Sequence, residues 1–342
     1  MTESPGSARP WLWVDWDRHL RTHSLCQRLG VELLEICIPG PRLLRYLKST
    51  RRTLVAIRTR RPAVVIATNP SIALALLLLL VRRWYRFTLV ADAHYAGVTA
   101  LSGSPLLQRL LNFYNARVAL VIVTTEAQAQ LLHGCGARAF VCPDPLPLLR
   151  EAAAQAVTVP PRSVFLVCSF DADEPWVQAF AAFGELSRRS GFTLFVSGNY
   201  HKAQLTPADF PGVRLLGFLP EREYYAYLRA CDLVMDLTVL EDCLVCGAYE
   251  AIAAGRPLIT SASAALRGYF AEAAVFTAHD PPAIARAVER AYAAREELAL
   301  KVSVWSARNE QYLGERLAAL GRALQELSEG AAARASGLLS RL

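Results

Sequence analysis

Asp242 and Glu250 place two carboxylates around Val245, Cys246 and Gly247, a short stretch that follows a strand and runs into a helix. Backbone N–H groups at a helix start carry partial positive charge and form a seat for a diphosphate. A carboxylate about one turn inside that helix can accept hydrogen bonds from two adjacent ribose hydroxyls. The same spacing also suits a plainer arrangement, in which Asp242 caps the helix and Glu250 is solvated. His94, in 91–97 (ADAHYAG), directly follows another strand, where an imidazole can serve a site near neutral pH or simply hydrogen-bond within its loop. Arg18, His19 and Arg21 follow the first strand. They offer cations to an acceptor's phosphates, or else form the solvated basic face of a helix. Asp171 and Asp173 make an Asp-x-Asp, with oxygens of the kind that Mg²⁺ or Mn²⁺ takes. Three-residue patterns recur by chance, and no metal is expected there or at Asp15 and Asp17. Cys243 and Cys246 make one CxxC with no second pair. The eight cysteines therefore read as reduced core or loop thiols.

These residues need elements that hold them. Short β-branched runs alternate with longer helical patterns. In the first half, strands are read at 11–16, 31–38, 63–67, 87–92, 119–123 and 140–142, and helices at 18–29, 41–61, 72–82 and 104–117. Thr125 and Gln128 look like a capping box opening one more helix. The rhythm restarts with strands at 164–169, 193–197, 213–216, 233–237, 258–260 and 274–276, and helices at 176–189, 222–229, 244–254, 282–295 and 305–327. Gly255 and Pro257 close the helix at 244–254. Such alternation implies the α/β class: two Rossmann-like domains in tandem, each with a parallel sheet covered on both faces, making a cleft. Ligands of open α/β sheets bind beyond the carboxyl ends of the strands. The domains are expected at 1–150 and 151–327, divided by a proline-bearing stretch around an alanine-rich segment, with 328–342 a frayed or loosely docked tail.

Composition agrees with this layout. A chain of 342 residues, 53% hydrophobic and 20% charged, is neither disordered nor collagen-like, and exceeds what one core serves. The net charge of +7 hides a split, with 19 Lys/Arg against 8 Asp/Glu in 1–150 and 18 against 22 in 151–342. A basic half points to a polyanion: phospholipid, pyrophosphate or nucleic acid. Its densest part, 41–61 (PRLLRYLKSTRRTLVAIRTRR), has eight Lys/Arg and no acid. Arg42, Arg45, Lys48 and Arg52 mark one stripe; Leu43, Leu47, Leu54 and Ile57 mark another. A cationic amphipathic helix suits an anionic membrane surface; alternatively the apolar stripe packs on the sheet and the arginines are solvated. Residues 82–86 (RRWYR) add basic and aromatic side chains. No DNA or RNA motif accompanies the charge, so nucleic acid is not expected as a partner. Residues 1–10 lack the make-up of a secretory signal, and the apolar run at 72–81 is about half of a bilayer span, so it reads as a core helix or a membrane-touching segment. A cytoplasmic protein is expected, peripheral on the inner face of the cell membrane.

The stretch 241–261 (EDCLVCGAYEAIAAGRPLITS) resembles the signature of the GT-B nucleotide-sugar glycosyltransferases, notably glycosyltransferase family 4. In that signature a Glu, seven residues and a second Glu precede a small-residue helix, Gly-x-Pro and a strand. Glu250 matches the second Glu, 255–257 match Gly-x-Pro, and Asp242 stands where the first Glu belongs, shorter by one methylene. The approach through 213–220 (VRLLGFLP) is similar too. The resemblance covers most of 63–325 and is strongest in the second domain. It implies a UDP- or GDP-linked sugar as substrate, held by the C-terminal domain through Gly198, Lys202, Phe218, Leu219, Val245, Cys246, Gly247 and Glu250, with Asp242 and His94 on the sugar. It implies an acceptor on the N-terminal domain near Arg18, His19 and Arg21. It also implies no cofactor and no metal, retention of anomeric configuration, and a last helix, 305–327, that packs back on the first domain. The family's basic pair after the first strand of the donor domain is replaced here by the acidic 169–175 (SFDADEP), and Lys202 is the substitute cation.

The expectation is a glycosyltransferase of polysaccharide or glycolipid biosynthesis. It moves a sugar from a nucleotide diphosphate to a glycan or a polyprenyl-diphosphate-linked acceptor at the cytoplasmic membrane face. Two rivals share the fold. One is a non-catalytic scaffold of glycan assembly, kept open by the acidic 171–174. The other is a nucleotide-sugar epimerase, for which no acid/base set is found.

Overall fold

The structure, a computed structural model, describes residues 10–69, 71–100, 103–149, 157–206 and 210–339. The opening residues read above for a secretory signal, the alanine-rich segment at 150–156 and the last three residues of the tail lie outside the described residues. The chain forms two compact units, Met1–Pro145 with Tyr312–Leu342, and Leu146–Gln311.

The first unit runs β1 (Trp11–Asp15), α1 (Leu20–Leu29), β2 (Glu32–Glu35), α2 (Arg42–Arg60), β3 (Val64–Asn69), α3 (Ile72–Tyr85), β4 (Thr88–Ala93), α4 (Tyr95–Val98), α5 (Pro105–Asn115), β5 (Leu120–Val123), α6 (Glu126–Gly134) and β6 (Ala139–Val141). Its six strands are all parallel, in the order β2-β1-β3-β4-β5-β6. The strands β3, β4 and β5 are buried along their whole length, because helices cover both faces. At the start of α6 the Thr125 hydroxyl accepts from the Gln128 N–H, and the Gln128 carboxamide oxygen accepts in return from the Thr124 N–H and hydroxyl.

The second unit runs β7 (Ser163–Leu166), α7 (Trp176–Ser190), β8 (Thr193–Ser197), β9 (Val213–Gly217), α8 (Glu221–Ala230), β10 (Leu233–Asp236), α9 (Cys246–Ala253), β11 (Leu258–Ser261), α10 (Ala264–Phe270), β12 (Ala274–Thr277) and α11 (Pro281–Ala293). Its sheet is also parallel throughout, in the order β12-β11-β10-β7-β8-β9. Two six-stranded parallel sheets with flanking helices are the two Rossmann-like domains of the GT-B class.

A final helix, α12 (Arg295–Leu339), gives Leu298, Val302 and Trp305 to the second unit's cores and Leu313, Leu317, Leu320 and Leu324 to a core of the first. It corrects one expectation. Residues 296–304, left outside any helix, begin it, with Glu296 and Glu297 in the first turn and Glu297 bonded to Lys301 one turn on. Past 328, read as a frayed or loosely docked tail, the helix runs on to Leu339 in a stretch rich in alanine, the best helix former.

Helix α2 is unusual in what it buries: Ser49, Thr53, Ala56 and Ile57. The Trp16 indole donates to the Thr53 hydroxyl at 2.9 Å and satisfies that polar face. Of the apolar stripe, Ile57 is buried and Leu54 half-buried, whereas Leu43 and Leu47 are exposed. The run at 72–81 lies in α3, which buries Leu74, Leu78 and Val81 and exposes Leu76 and Leu80.

Candidate active site

In the second unit the strand order reverses between β7 and β10, which pair Leu233 with Val164 and Met235 with Leu166. At such a reversal the connections leave to opposite sides and open a crevice at the carboxyl ends. β10 ends there on Asp236, which is 5% exposed and accepts from the Gly247 N–H of α9 at 2.7 Å. A Cβ at position 247 would lie 2.5 Å from that carboxylate oxygen and 2.7 Å from the Val167 Cβ. Only glycine lets α9 begin this close to the sheet. One turn further in, Glu250 is 7% exposed and accepts a hydrogen bond from the Tyr224 hydroxyl of α8. Phe165 of β7 meets the Tyr224 ring edge-on, with centroids 5.3 Å apart.

Burial pushes the Glu250 carboxyl up to about 7, with the Tyr224 hydroxyl pulling the other way. Asp236 is held well above the usual carboxylate range, by burial first and then by the Glu174 and Glu250 charges. Both keep a proton to higher pH than an exposed carboxyl does, which lowers the negative charge at this end of the sheet.

The acidic loop at 169–174 is organised by its own last residue. Glu174 accepts from the N–H of Ser169 at 2.9 Å, from the N–H of Asp171 at 3.0 Å, from the Ser169 hydroxyl and from the Cys168 thiol. Asp173 accepts from the Thr238 hydroxyl at 3.0 Å, tying this loop to the one that leads into α9. Asp171 accepts from the Ser169 hydroxyl at 2.8 Å and from the Lys202 ammonium at 3.2 Å. The two aspartates of the Asp-x-Asp thus have separate partners. Among the described residues no group of three His, Cys, Asp or Glu side chains is arranged to hold a metal ion.

The other donor-side residues fall as follows. Lys202 reaches the acidic loop from a turn after β8; both it and Asp171 are about half exposed, so the pair is loosely held. Phe218, just past β9, is 88% exposed, and Leu219 is half-buried beside it. Asp242 is half-buried in the turn before α9, whose N-cap residue is Val245. Val245 is buried and Cys246 exposed. The Gly247 N–H, read as part of a diphosphate seat, donates to Asp236. At Gly198, read as a donor contact, φ is +102° and a Cβ would lie 1.8 Å from the Cys168 carbonyl oxygen, so the backbone here requires glycine.

In the first unit the order reverses between β1 and β3. Asp15, the last residue of β1, accepts from the His19 Nδ1 at 2.8 Å, from the Thr22 hydroxyl and from the Asp17 N–H. Asp15, His19, Arg45, Tyr46, Thr68 and Cys37 are among the residues lining a cavity of about 520 Å³ at this reversal. The His19 ring lies 4.8 Å from the His94 ring, at 46°. Hydrogen bonding to Asp15 raises the His19 pKa, whereas burial lowers that of His94, whose Nε2 is buried without a hydrogen-bond partner. Arg18 is exposed. Arg21 is not available to an acceptor. It is buried, pairs with Asp92 at 2.9 Å and with Asp144, and donates to the Cys142 carbonyl. Its charge has to be neutralised inside the fold, and the two aspartates do so.

The sequence reading missed Tyr224, Asp236, Glu174 and Asp144. Asp236 carried a signal, a carboxylate closing an otherwise apolar strand; the others become partners only through the fold.

Residues 179–318 match the sequence model of the family Glycosyl transferase-like. No curated protein matches. Solved structures share the fold. One is Anabaena Alr3699/HepE in complex with UDP-glucose, 13% identical, with a TM-score of 0.65 over 91% of this chain and 98% of that one. Another is sucrose-phosphate synthase from Thermosynechococcus elongatus, 14% identical, with a TM-score of 0.66 over 98% of this chain and 100% of that one. A UDP-GlcNAc 2-epimerase from Methanocaldococcus jannaschii, 13% identical, scores 0.52 over 82% of this chain and 92% of that one. Residues 179–318 are thus similar to a glycosyl transferase-like family, and the chain has the GT-B fold along nearly its whole length.

Proposed function

We propose that this protein is a glycosyltransferase of the family 4 type that moves a sugar from a nucleotide diphosphate to a glycan or polyprenyl-diphosphate-linked acceptor at the cytoplasmic membrane face, in polysaccharide or glycolipid synthesis. UDP is the favoured carrier, since UDP-glucose is bound to one of the proteins that share the fold. The observation that carries this reading is Glu250: a buried carboxylate at the sheet reversal, on the helix of the family signature, with its proton held up to about 7.

In this reading 151–327 is the donor domain, its last helix packing back on the first domain, and 1–150 is the acceptor domain. Glu250 grips the two ribose hydroxyls, and Lys202 leaves Asp171 for the diphosphate, a low-cost exchange for an exposed pair. Asp242 and His94 hold the sugar. The buried His94 Nε2 lies 3.7 Å from the Asp92 carboxylate and has no hydrogen-bond partner, which a sugar hydroxyl supplies. His19 and Arg18 meet the acceptor. Catalysis is then positioning and electrostatic stabilisation of the departing diphosphate, with retention and without metal or cofactor.

The test is a panel of UDP- and GDP-sugars with a lipid extract as acceptor, read as nucleoside diphosphate release and by the anomeric proton of the product. Release that Glu250→Gln abolishes supports the reading. Interconversion of two UDP-sugars without release would assign an epimerase, and no binding of any sugar nucleotide would assign a scaffold.

A further inference from the structure

In the first unit α2 packs beside α3, and α3 beside α5. These three helices carry seven, two and one Lys/Arg respectively, and no acidic residue. They also leave large apolar side chains in solvent: Leu43 and Leu47 on α2, Leu80 (65% exposed) and Trp84 (72%) on α3, and Leu106 (78%) and Phe113 on α5. A water-soluble surface scatters such residues singly. Here Leu76, Leu80 and Trp84 recur every fourth position and form a stripe along α3. Because α2 turns Ser49, Thr53 and Ala56 inward, Leu43 and Leu47 are left facing outward.

A groove on α2 adds a second feature. Lys48, Arg51, Arg52 and Arg60 line a space of about 640 Å³ above Leu34 and Val55. Arg60 reaches Glu32 through one terminal nitrogen at 2.8 Å, and its other terminal nitrogen is buried with no partner. That nitrogen needs an acceptor oxygen, which a phosphate supplies.

We infer that the α2–α3–α5 face docks on an anionic phospholipid bilayer, with Leu43, Leu47, Leu80, Trp84 and Leu106 entering the interface and a headgroup phosphate seated in the Arg60 groove. This gives a surface to the membrane part of the function proposed above and rests on it. Charge complementarity selects the partner: ten cations without an anion repel a basic surface, and exposed Leu and Trp have no use on a purely polyanionic ligand. Cation and apolar side chain together match the headgroup layer, where each Lys or Arg is worth about fivefold in binding.

The experiment is co-sedimentation of the full chain with vesicles of phosphatidylcholine alone or with one quarter phosphatidylglycerol. The mixed vesicles are expected to bind at least about tenfold more tightly, with the margin shrinking as salt rises. Changing Arg42, Lys48, Arg51 and Arg52 together to Gln should weaken that binding by about a hundredfold or more. Leu80→Ser with Trp84→Ser should weaken it at least about tenfold and remove the blue shift of tryptophan emission on adding vesicles. All these side chains are exposed, so melting temperature and sugar-nucleotide binding should stay at wild-type values. Equal binding to both vesicle types, or to neither, would overturn the inference. So would a dimer that Trp84→Ser converts to monomer, which would make a second copy the occupant. Vesicle failure with intact donor binding discards the docking face alone; donor failure with intact vesicle binding discards the transferase assignments instead.

Discussion

Tyr224 donates its hydroxyl to the Glu250 carboxylate, joining α8 to α9 where the second sheet reverses its strand order. The bond crosses between two helices that the sequence separates by a strand, and it fixes which way the Glu250 side chain lies. A buried carboxylate held by one neutral donor is primed to take more, and two vicinal hydroxyls are well shaped for it.

Glu250 should make the protein less stable as pH rises. Its folded value, about 7, lies above the ordinary 4.5, so the folded state binds more protons between those two values and loses stability across them. The full difference is about 3 kcal/mol. Thermal melts of Glu250→Gln should therefore match wild type near the lower limit and exceed it above the upper one.

Removing the phenol should shift that window. The Tyr224 hydroxyl works against burial in setting the Glu250 pKa, so Tyr224→Phe should move the carboxyl midpoint upward. Carbon NMR of the Glu250 carboxyl across the titration measures it. The variant should also lose about 1–2 kcal/mol of stability, the usual worth of such a bond to a charged group.

Gly247→Ala should be costly although alanine favours helices. The new Cβ would meet an Asp236 oxygen and the Val167 Cβ at well under contact distance. Denaturant unfolding should show a loss of about 1–3 kcal/mol or more, together with weaker sugar-nucleotide binding, because α9 must move.

Arg21 and Arg18 should behave oppositely. Arg21→Met leaves Asp92 and Asp144 buried or half-buried without their cation and should cost about 3–5 kcal/mol. Arg18→Gln, on an exposed side chain, should change stability by less than about 0.5 kcal/mol and act only on the acceptor's KM.

The alternation of β-branched runs with helical patterns made the α/β class and the parallel sheets legible, from apolar runs such as 63–67 (AVVIA) and 119–123 (ALVIV). Strand-end positions also showed where polar residues would gather. Partners were not legible. Periodicity says which face of a helix carries Tyr224, but not that the face meets Glu250. It shows that Glu174 is acidic, but not that it folds back onto the N–H groups of its own loop. Arg21 looked like a surface cation because nothing local announces Asp92 and Asp144, 71 and 123 positions away. The outward Leu43 and Leu47 of α2 were ambiguous for a related reason: the polar Thr53 is buried with a donor from Trp16, just past β1.

The most direct measurement is calorimetric titration of UDP-glucose into wild type and Glu250→Gln near pH 6.5, repeated in two buffers of different ionisation enthalpy. Ribose hydroxyls favour the ionised carboxylate, so wild-type binding should be accompanied by a Glu250-dependent release of protons, and the variant should bind at least about tenfold more weakly without that release. Equal affinity and equal proton exchange in the two proteins would contradict the account.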